Sequence, residues 1–434
     1  MPISRLRRSQ YYWSGLWIMW SVLIGLLLLY PTPAQARSLH ASLLRADPAA
    51  NSVQALPPSR LLLVFSEPVQ PIVQTITVMT PSGQQIIHGA VKISGNQLEM
   101  GIDARSKGSY LVSWQVLSQD TQPVSGKYIF SVGQPGGPWA NSTGQEQLPF
   151  IYTVLQAVAQ LLHFLGYALG FGVLAFLWLI VYPLQLSTVE EIQDYLLRLA
   201  KYGIALLVLA EPLALLAQSM GLTASQGLSF DIIGGLLATN FGWLLSLRLG
   251  AALVLWILVG AIQQGAKKGV RLACLVGILL ALIDSFSSHA TGSRAPWISL
   301  LAHMVHLISM GLWIGGLSSL TGLWRHQRLL AQKSVLLTRF GYLATTAVAE
   351  LFISGVIISW LQFTSISNLI TTNYGRVLLI KLIIFLAILF ILALFRRARK
   401  QPIIYWWILE EVALIGILIL AGILLSLSPP LLTR

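Results

Sequence analysis

Two histidines, His303 and His306, interrupt an otherwise apolar run from Leu300 to Gly316, LLAHMVHLISMGLWIGG. Ionisable side chains are costly inside a bilayer and face a protein interior or a polar cavity when they occur there, so they mark functional sites. At a spacing of i and i+3 on a helix the two imidazoles share one face, and Met310 extends that face by another turn. One helix therefore offers two imidazoles and a thioether. Soft thioether and imidazole ligands suit copper, whereas two imidazoles alone equally suit zinc, iron or haem. The alternative is a pair of rings that only hydrogen-bond between helices. Gly311, Gly315 and Gly316 leave room for a neighbouring helix to come close.

Other ionisable residues fall in apolar surroundings. His163 lies near the middle of an earlier apolar span, where it could face the same cavity or hydrogen-bond between helices, and His289 lies in the loop just before the His303 span. Taken together, His289, His303, His306 and His163 read as a path from an outer mouth toward the membrane centre. Glu211 and Glu350 fall near mid-bilayer, where an acid is tolerated beside a base or as a proton or cation site. Arg248 and Lys381 read as structural ion-pair partners, Asp284 as a capping residue, and Glu410 with Glu411 as an exit site or a snorkelling pair.

The rest of the chain must position these groups. It has 434 residues, 55% of them hydrophobic and only 10% charged, with a formal charge of +13 and a mean hydropathy of +0.73. That is a polytopic membrane protein in contact with the lipid bilayer, and it excludes a nucleic-acid-binding reading of the basic excess. Eight apolar spans are expected, at about 151–182, 198–219, 241–263, 270–287, 297–323, 337–362, 376–395 and 404–427. Lys267, Lys268 and Arg271, then Arg325, Arg328, Lys333 and Arg339, then Arg396, Arg397, Arg399 and Lys400 occupy alternate connections. The positive-inside rule puts these in the cytoplasm, with both ends of the bundle outside. The single cysteine, Cys274, leaves no intramolecular disulfide and no cysteine-rich metal site.

Ahead of the spans, residues 1–36 have the layout of a signal peptide, cleaved after Ala36 or retained as an anchor. Residues 37–135 alternate in the β period between turn residues, which predicts a small all-β, Ig-like Greek-key sandwich or barrel. Residues 136–150 are a polar linker, and 151–428 an all-α bundle. Phosphate-loop motifs are absent. The chain reads as a carrier or binding protein and not as an enzyme.

The β segment resembles the copper-resistance CopC family through Asp47-Pro48, Pro57-Pro58, Val64-Phe65-Ser66-Glu67-Pro68-Val69, Tyr110-x-Val112-x-Trp114-x-Val116-x-Ser118 and Asp120-x-x-Pro123-Val124-Ser125-Gly126. The membrane half resembles the CopD family through His303-x-x-His306 with Leu312-Trp313-Ile314-Gly315-Gly316, Tyr374-Gly375-Arg376-x-Leu378-Leu379-x-Lys381 and Ser428-Pro429-Pro430. The resemblance implies copper import or tolerance at the cytoplasmic membrane of a bacterium, with extracytoplasmic copper carriers as partners. It also implies copper(II) ligands in the β domain. Asp120 matches, His40 stands four residues into the chain cleaved after Ala36, and Gln122 replaces a histidine, so a weakened or lost site is the competing reading. The alternatives to transport are a haem or redox protein in which His163 and one of His303 or His306 clamp a haem, and a copper sensor or assembly factor that moves no ion.

Overall fold

The computed structural model of the chain describes residues 41–80, 82–86, 90–119, 121–134, 144–145, 150–185, 189–222, 230–286, 295–324, 333–363, 367–397 and 404–425. The leader assigned to 1–36, His40, Asp120, His289 and the basic loop around His326 lie outside the described residues.

The β domain runs β1 (Leu43–Asp47), β2 (Val53–Gln54), β3 (Arg60–Phe65), β4 (Gln70–Met79), β5 (Gln85–Ile86), β6 (Lys92–Ser94), β7 (Gln97–Gly101), β8 (Gly108–Leu117), β9 (Pro123–Val132) and β10 (Gly144–Gln145). One sheet has the order β1-β3-β7-β6; the other has the order β10-β9-β8-β4-β5, with β2 parallel to β9. In β3 the sequence RLLLVF buries Leu61, Leu63 and Phe65 and leaves the residues between them partly exposed, the period-2 pattern of a strand with one face on a core. Val112, Trp114 and Val116 of β8 and Tyr128, Phe130 and Val132 of β9 supply the facing layer. Phe65 and Trp114 meet edge to face across the two sheets, with centroids 5.1 Å apart. Met100 of β7 fills the same core from the β3 side.

Gly126 stands opposite Trp114 in the β8/β9 ladder. A Cβ at this position would lie 2.6 Å from Trp114 Cζ2, so the indole occupies the space that any other side chain needs. Gly126→Ala is expected to lower the stability of the β domain by about 1–3 kcal/mol, the usual cost of overpacking a close-packed core. Chemical denaturation followed by Trp fluorescence checks this, and an unchanged midpoint would mean that the ring moves aside at no cost.

The bundle begins with α1 (Phe150–Leu184) and α2 (Val189–Leu222), followed by a short α3 (Phe230–Leu237) that the sequence reading did not anticipate. It continues through α4 (Asn240–Gln263), α5 (Gly269–Phe286), α6 (Pro296–Leu323), α7 (Lys333–Gln362), a single turn α8 (Asn368–Thr371), α9 (Asn373–Arg397) and α10 (Ile404–Leu425). Among the described residues seven helices, namely α1, α2, α4 to α7 and α9, are long and apolar enough to cross a membrane, and α10 occupies the eighth apolar span. Their outward faces carry residues such as Ile257 and Ile383, 68% and 64% exposed, which lipid would cover.

Two π-helical turns, Ala168–Gly172 and Leu177–Val181, interrupt α1. At the first, a Cβ on Gly172 would strike the Gly311 carbonyl, and one on Gly315 would strike the Ala168 carbonyl. Here α1 and α6 touch backbone to backbone, as the small residues of α6 led us to expect. Gly316 packs instead under Phe340 of α7. This contact holds His163 of α1 and the histidines of α6 on walls of one space.

Candidate metal path in the helical bundle

That space is a cavity of about 760 Å³, with His163, His303, His306 and Met310 in its wall. Most of the remaining lining is apolar, including Leu307, Phe352, Phe385 and Leu418, with Gln122, Gln160 and Lys381 among the polar exceptions. The i, i+3 spacing of the two α6 histidines and the turn to Met310 thus bring three donor side chains to one wall.

The hydrogen bonds of the two rings set which nitrogen carries a lone pair. His303 Nδ1–H donates to the Ser299 carbonyl oxygen at 2.8 Å, a partner that can only accept. His306 Nδ1 lies 2.9 Å from Ser354 Oγ. The Ser354 hydroxyl proton is already given to the Glu350 carbonyl at 2.6 Å, so the ring is the donor here also. In both neutral rings the lone pair falls on Nε2. This is the outer-shell arrangement that commonly prepares a histidine for metal, with one nitrogen tied to an oxygen and the other left basic. Gly355 makes room for the His306 ring, since a Cβ there would sit 3.5 Å from its Cε1.

His163 is bonded differently. Nδ1 lies 3.0 Å from Glu211 Oε1 and Nε2 lies 2.9 Å from Asp284 Oδ2. Arg248 donates from Nε to Asp284 Oδ1 at 2.8 Å and approaches Glu211 Oε2 at 3.8 Å with Nη1. Four helices, α1, α2, α4 and α5, each supply one member. With the imidazole protonated the cluster holds two positive and two negative groups, and such balance is what a buried charge requires. A ring that donates from both nitrogens offers no lone pair to a metal. The expected contribution of His163 as a ligand therefore finds no support in this arrangement, although the residue does reach the cavity. Asp284, read from sequence as a cap, is the hub of the cluster. Glu211 Oε2 accepts no hydrogen bond among the described residues.

Glu350 is buried between α6 and α7, where it accepts a 2.7 Å hydrogen bond from Ser309 Oγ, one turn from His306 and outside the cavity lining. Arg248 meets its expected role as an ion-pair partner. Lys381 faces the cavity and is partly buried, and among the described residues it has no ion-pair partner. Trp313 Nε1–H donates to Glu410 Oε1 at 3.1 Å, which fixes Glu410 against α6. Among the described residues no group of three or more His, Cys, Asp or Glu is arranged to hold a metal ion. A metal at the α6 pair would draw on two imidazoles with Met310, not on a carboxylate cage.

Family models match three stretches of the chain: the CopC domain over residues 43–133, the copper resistance protein D-like N-terminal domain over 151–298, and copper resistance protein D over 334–427. The copper transport protein CutJ of Bacillus subtilis is 28% identical over 95% of this chain and 78% of its own length. The inner membrane protein YebZ of Escherichia coli is 29% identical over 42% of this chain and 63% of its own. Among solved structures, CopC from Methylosinus trichosporium OB3b is 30% identical, covers 23% of this chain and 98% of its own, and has a TM-score of 0.20. PcoC, a methionine rich copper resistance protein from Escherichia coli, is 27% identical over 21% of this chain and 98% of its own, with a TM-score of 0.17.

Proposed function

This chain joins a CopC domain to a CopD membrane domain, a copper-handling protein of a bacterial membrane, and on that premise we propose that it carries copper across the bilayer through the α6 histidine pair. The observation that supports the reading is the hydrogen bonding of His303 and His306, which leaves both Nε2 atoms basic in a cavity inside the bundle. Two imidazoles and a thioether make a soft donor set, which favours copper(I) over magnesium or calcium and sets zinc second. Copper is here the cargo and not a resident cofactor. The test is copper accumulation by cells or proteoliposomes containing the whole chain, with X-ray absorption at the copper edge to identify nitrogen and sulfur neighbours. A protein that binds copper but produces no flux is the sensor or assembly factor instead.

The charge pattern supports an orientation with the β domain and the loop carrying His289 outside and the loop at Lys268 inside. A thiol-specific reagent that cannot cross the membrane should label Ala290→Cys in intact cells and leave Lys268→Cys unlabelled. The native Cys274 is buried and gives little background. Labelling at position 268 reverses the orientation. The haem clamp requires a free nitrogen on His163, and both of its nitrogens face carboxylates. A Soret band in the purified protein would restore that reading.

A further inference from the structure

The turn between β8 and β9 is tightly made. Thr121 N–H donates to the Ser118 carbonyl at 2.9 Å, and Ser118 N–H and Oγ–H both reach the Gln122 carbonyl at 3.0 Å. Thr121 has φ 65°, a left-handed conformation that a β-branched residue rarely adopts, so the turn holds its shape against a local cost.

This turn is pressed into the bundle. Tyr152 of α1 is wholly buried, and its O–H donates to Gln122 Oε1 at 2.7 Å. Gln218 of α2, 1% exposed, donates from Nε2 to the Thr121 carbonyl. Leu117 at the end of β8 packs in one apolar cluster with Leu222, Ile232 and Leu236, so the unanticipated α3 forms part of the seat. A Cβ at Gly221 would meet both Tyr152 and Pro123, which leaves no slack in the joint. A second contact lies away from the turn, where Asn240 N–H donates to Gln70 Oε1 at 2.9 Å. The Gln122 side chain then continues into the wall of the cavity that contains His303 and His306.

We infer that Gln122 is a positioning residue that registers the β domain on the bundle and makes the cavity a two-domain site, with Tyr152 as its partner. The inference rests on the proposed transport role only for its consequence, that ions enter past this joint. Position 122 therefore has a use that needs no metal ligand. The amide oxygen accepts the phenolic proton of a buried tyrosine at 2.7 Å, and a hydrogen bond made inside a packed interface is costly to remove.

The test uses the full-length chain with spin labels on Gln97→Cys in the β domain and Phe230→Cys at the start of α3, both exposed positions, and reads the distance between them. One narrow distribution is expected in the parent. Gln122→Met, which keeps the length and loses the amide, and Tyr152→Phe, which loses only the hydroxyl, should each add a longer population. The undocked-to-docked ratio should rise roughly three- to tenfold, the ordinary worth of one such hydrogen bond. Because both variants delete the same bond, the double variant should be no worse than either alone. In transport assays the apparent KM for copper should rise with the maximal rate kept, since the histidine pair is untouched. Unchanged distances in both single variants, with helix content retained by circular dichroism, would overturn the assignment. Additive effects in the double variant would overturn it equally, since they would mean that the two side chains act separately. Broadened distances in a protein whose parent moves no copper would leave the registration standing and remove the transport reading instead.

Discussion

His303→Ala or His306→Ala is expected to reduce copper-dependent accumulation to background while the protein stays folded and inserted. Each ring contributes a lone pair from Nε2 that nothing else on α6 replaces, since Met310 supplies only a thioether. Altering a residue that merely orients a metal-bound histidine already costs 10- to 100-fold in affinity, so loss of the ligand itself should cost more than about 100-fold. The structural side of the change is small. His303 bonds to a carbonyl of its own helix, and His306 loses one interhelical hydrogen bond, worth about 1 kcal/mol in a membrane. Ser354→Ala separates the two roles further. It leaves both ligands in place and removes the acceptor that holds the proton on His306 Nδ1, and should weaken binding about 10-fold without abolishing it. A stably inserted double alanine variant that still accumulates copper at the parent rate would make the pair structural and move the path elsewhere.

The second large effect is on stability. Arg248→Met removes the only guanidinium from the cluster around His163 and leaves Asp284 and Glu211 sharing a single imidazolium. Breaking a buried charge network by removing one member typically costs 3–5 kcal/mol, because the remaining charge stays buried and uncompensated. Arg248→Met should accordingly lower the amount of inserted protein and the temperature at which detergent-solubilised chain unfolds. Combining it with Asp284→Asn rebalances the charge and should recover part of the loss, a coupling that a double-mutant cycle reads directly. If Arg248→Met is as stable as the parent, the cluster is not held by its charges, and Arg248 is more exposed to water than its contacts imply.

How far the site could be read from the chain depends on how local each interaction is. The pairing of His303 with His306 and Met310 is set by helix geometry alone, so spacing sufficed to put them on one face. The alternation in β3, β8 and β9 similarly announces strands with one buried side. His163 was harder. Its position in an apolar span marked it as important, but its partners Glu211 and Asp284 are 48 and 121 residues away, on two other helices. Asp284 by itself looks like an ordinary residue near a helix end. No spacing rule links these three, and the same His163 could have served a metal had the carboxylates faced elsewhere.

The sequence by itself determined the division into a small β domain and a bundle of apolar helices. Burial of apolar faces at periods of 2 and 3.6 leaves few other solutions for such a chain. It also determined that two imidazoles share one wall, because residues three apart on a helix must. Only the tertiary structure decided which nitrogen of His306 is basic, since the Ser354 that holds it is 48 residues away on α7, whereas His303 is held by the Ser299 carbonyl of its own helix. It alone decided that His163 is committed to two carboxylates. The same holds for Gln122, which in the chain reads as a missing ligand and in the fold is the contact that joins the β domain to α1. Protonation, tautomer and docking depend on which polar groups packing brings within about 3 Å of one another, and that distance is settled by helices and sheets meeting across the whole length of the chain.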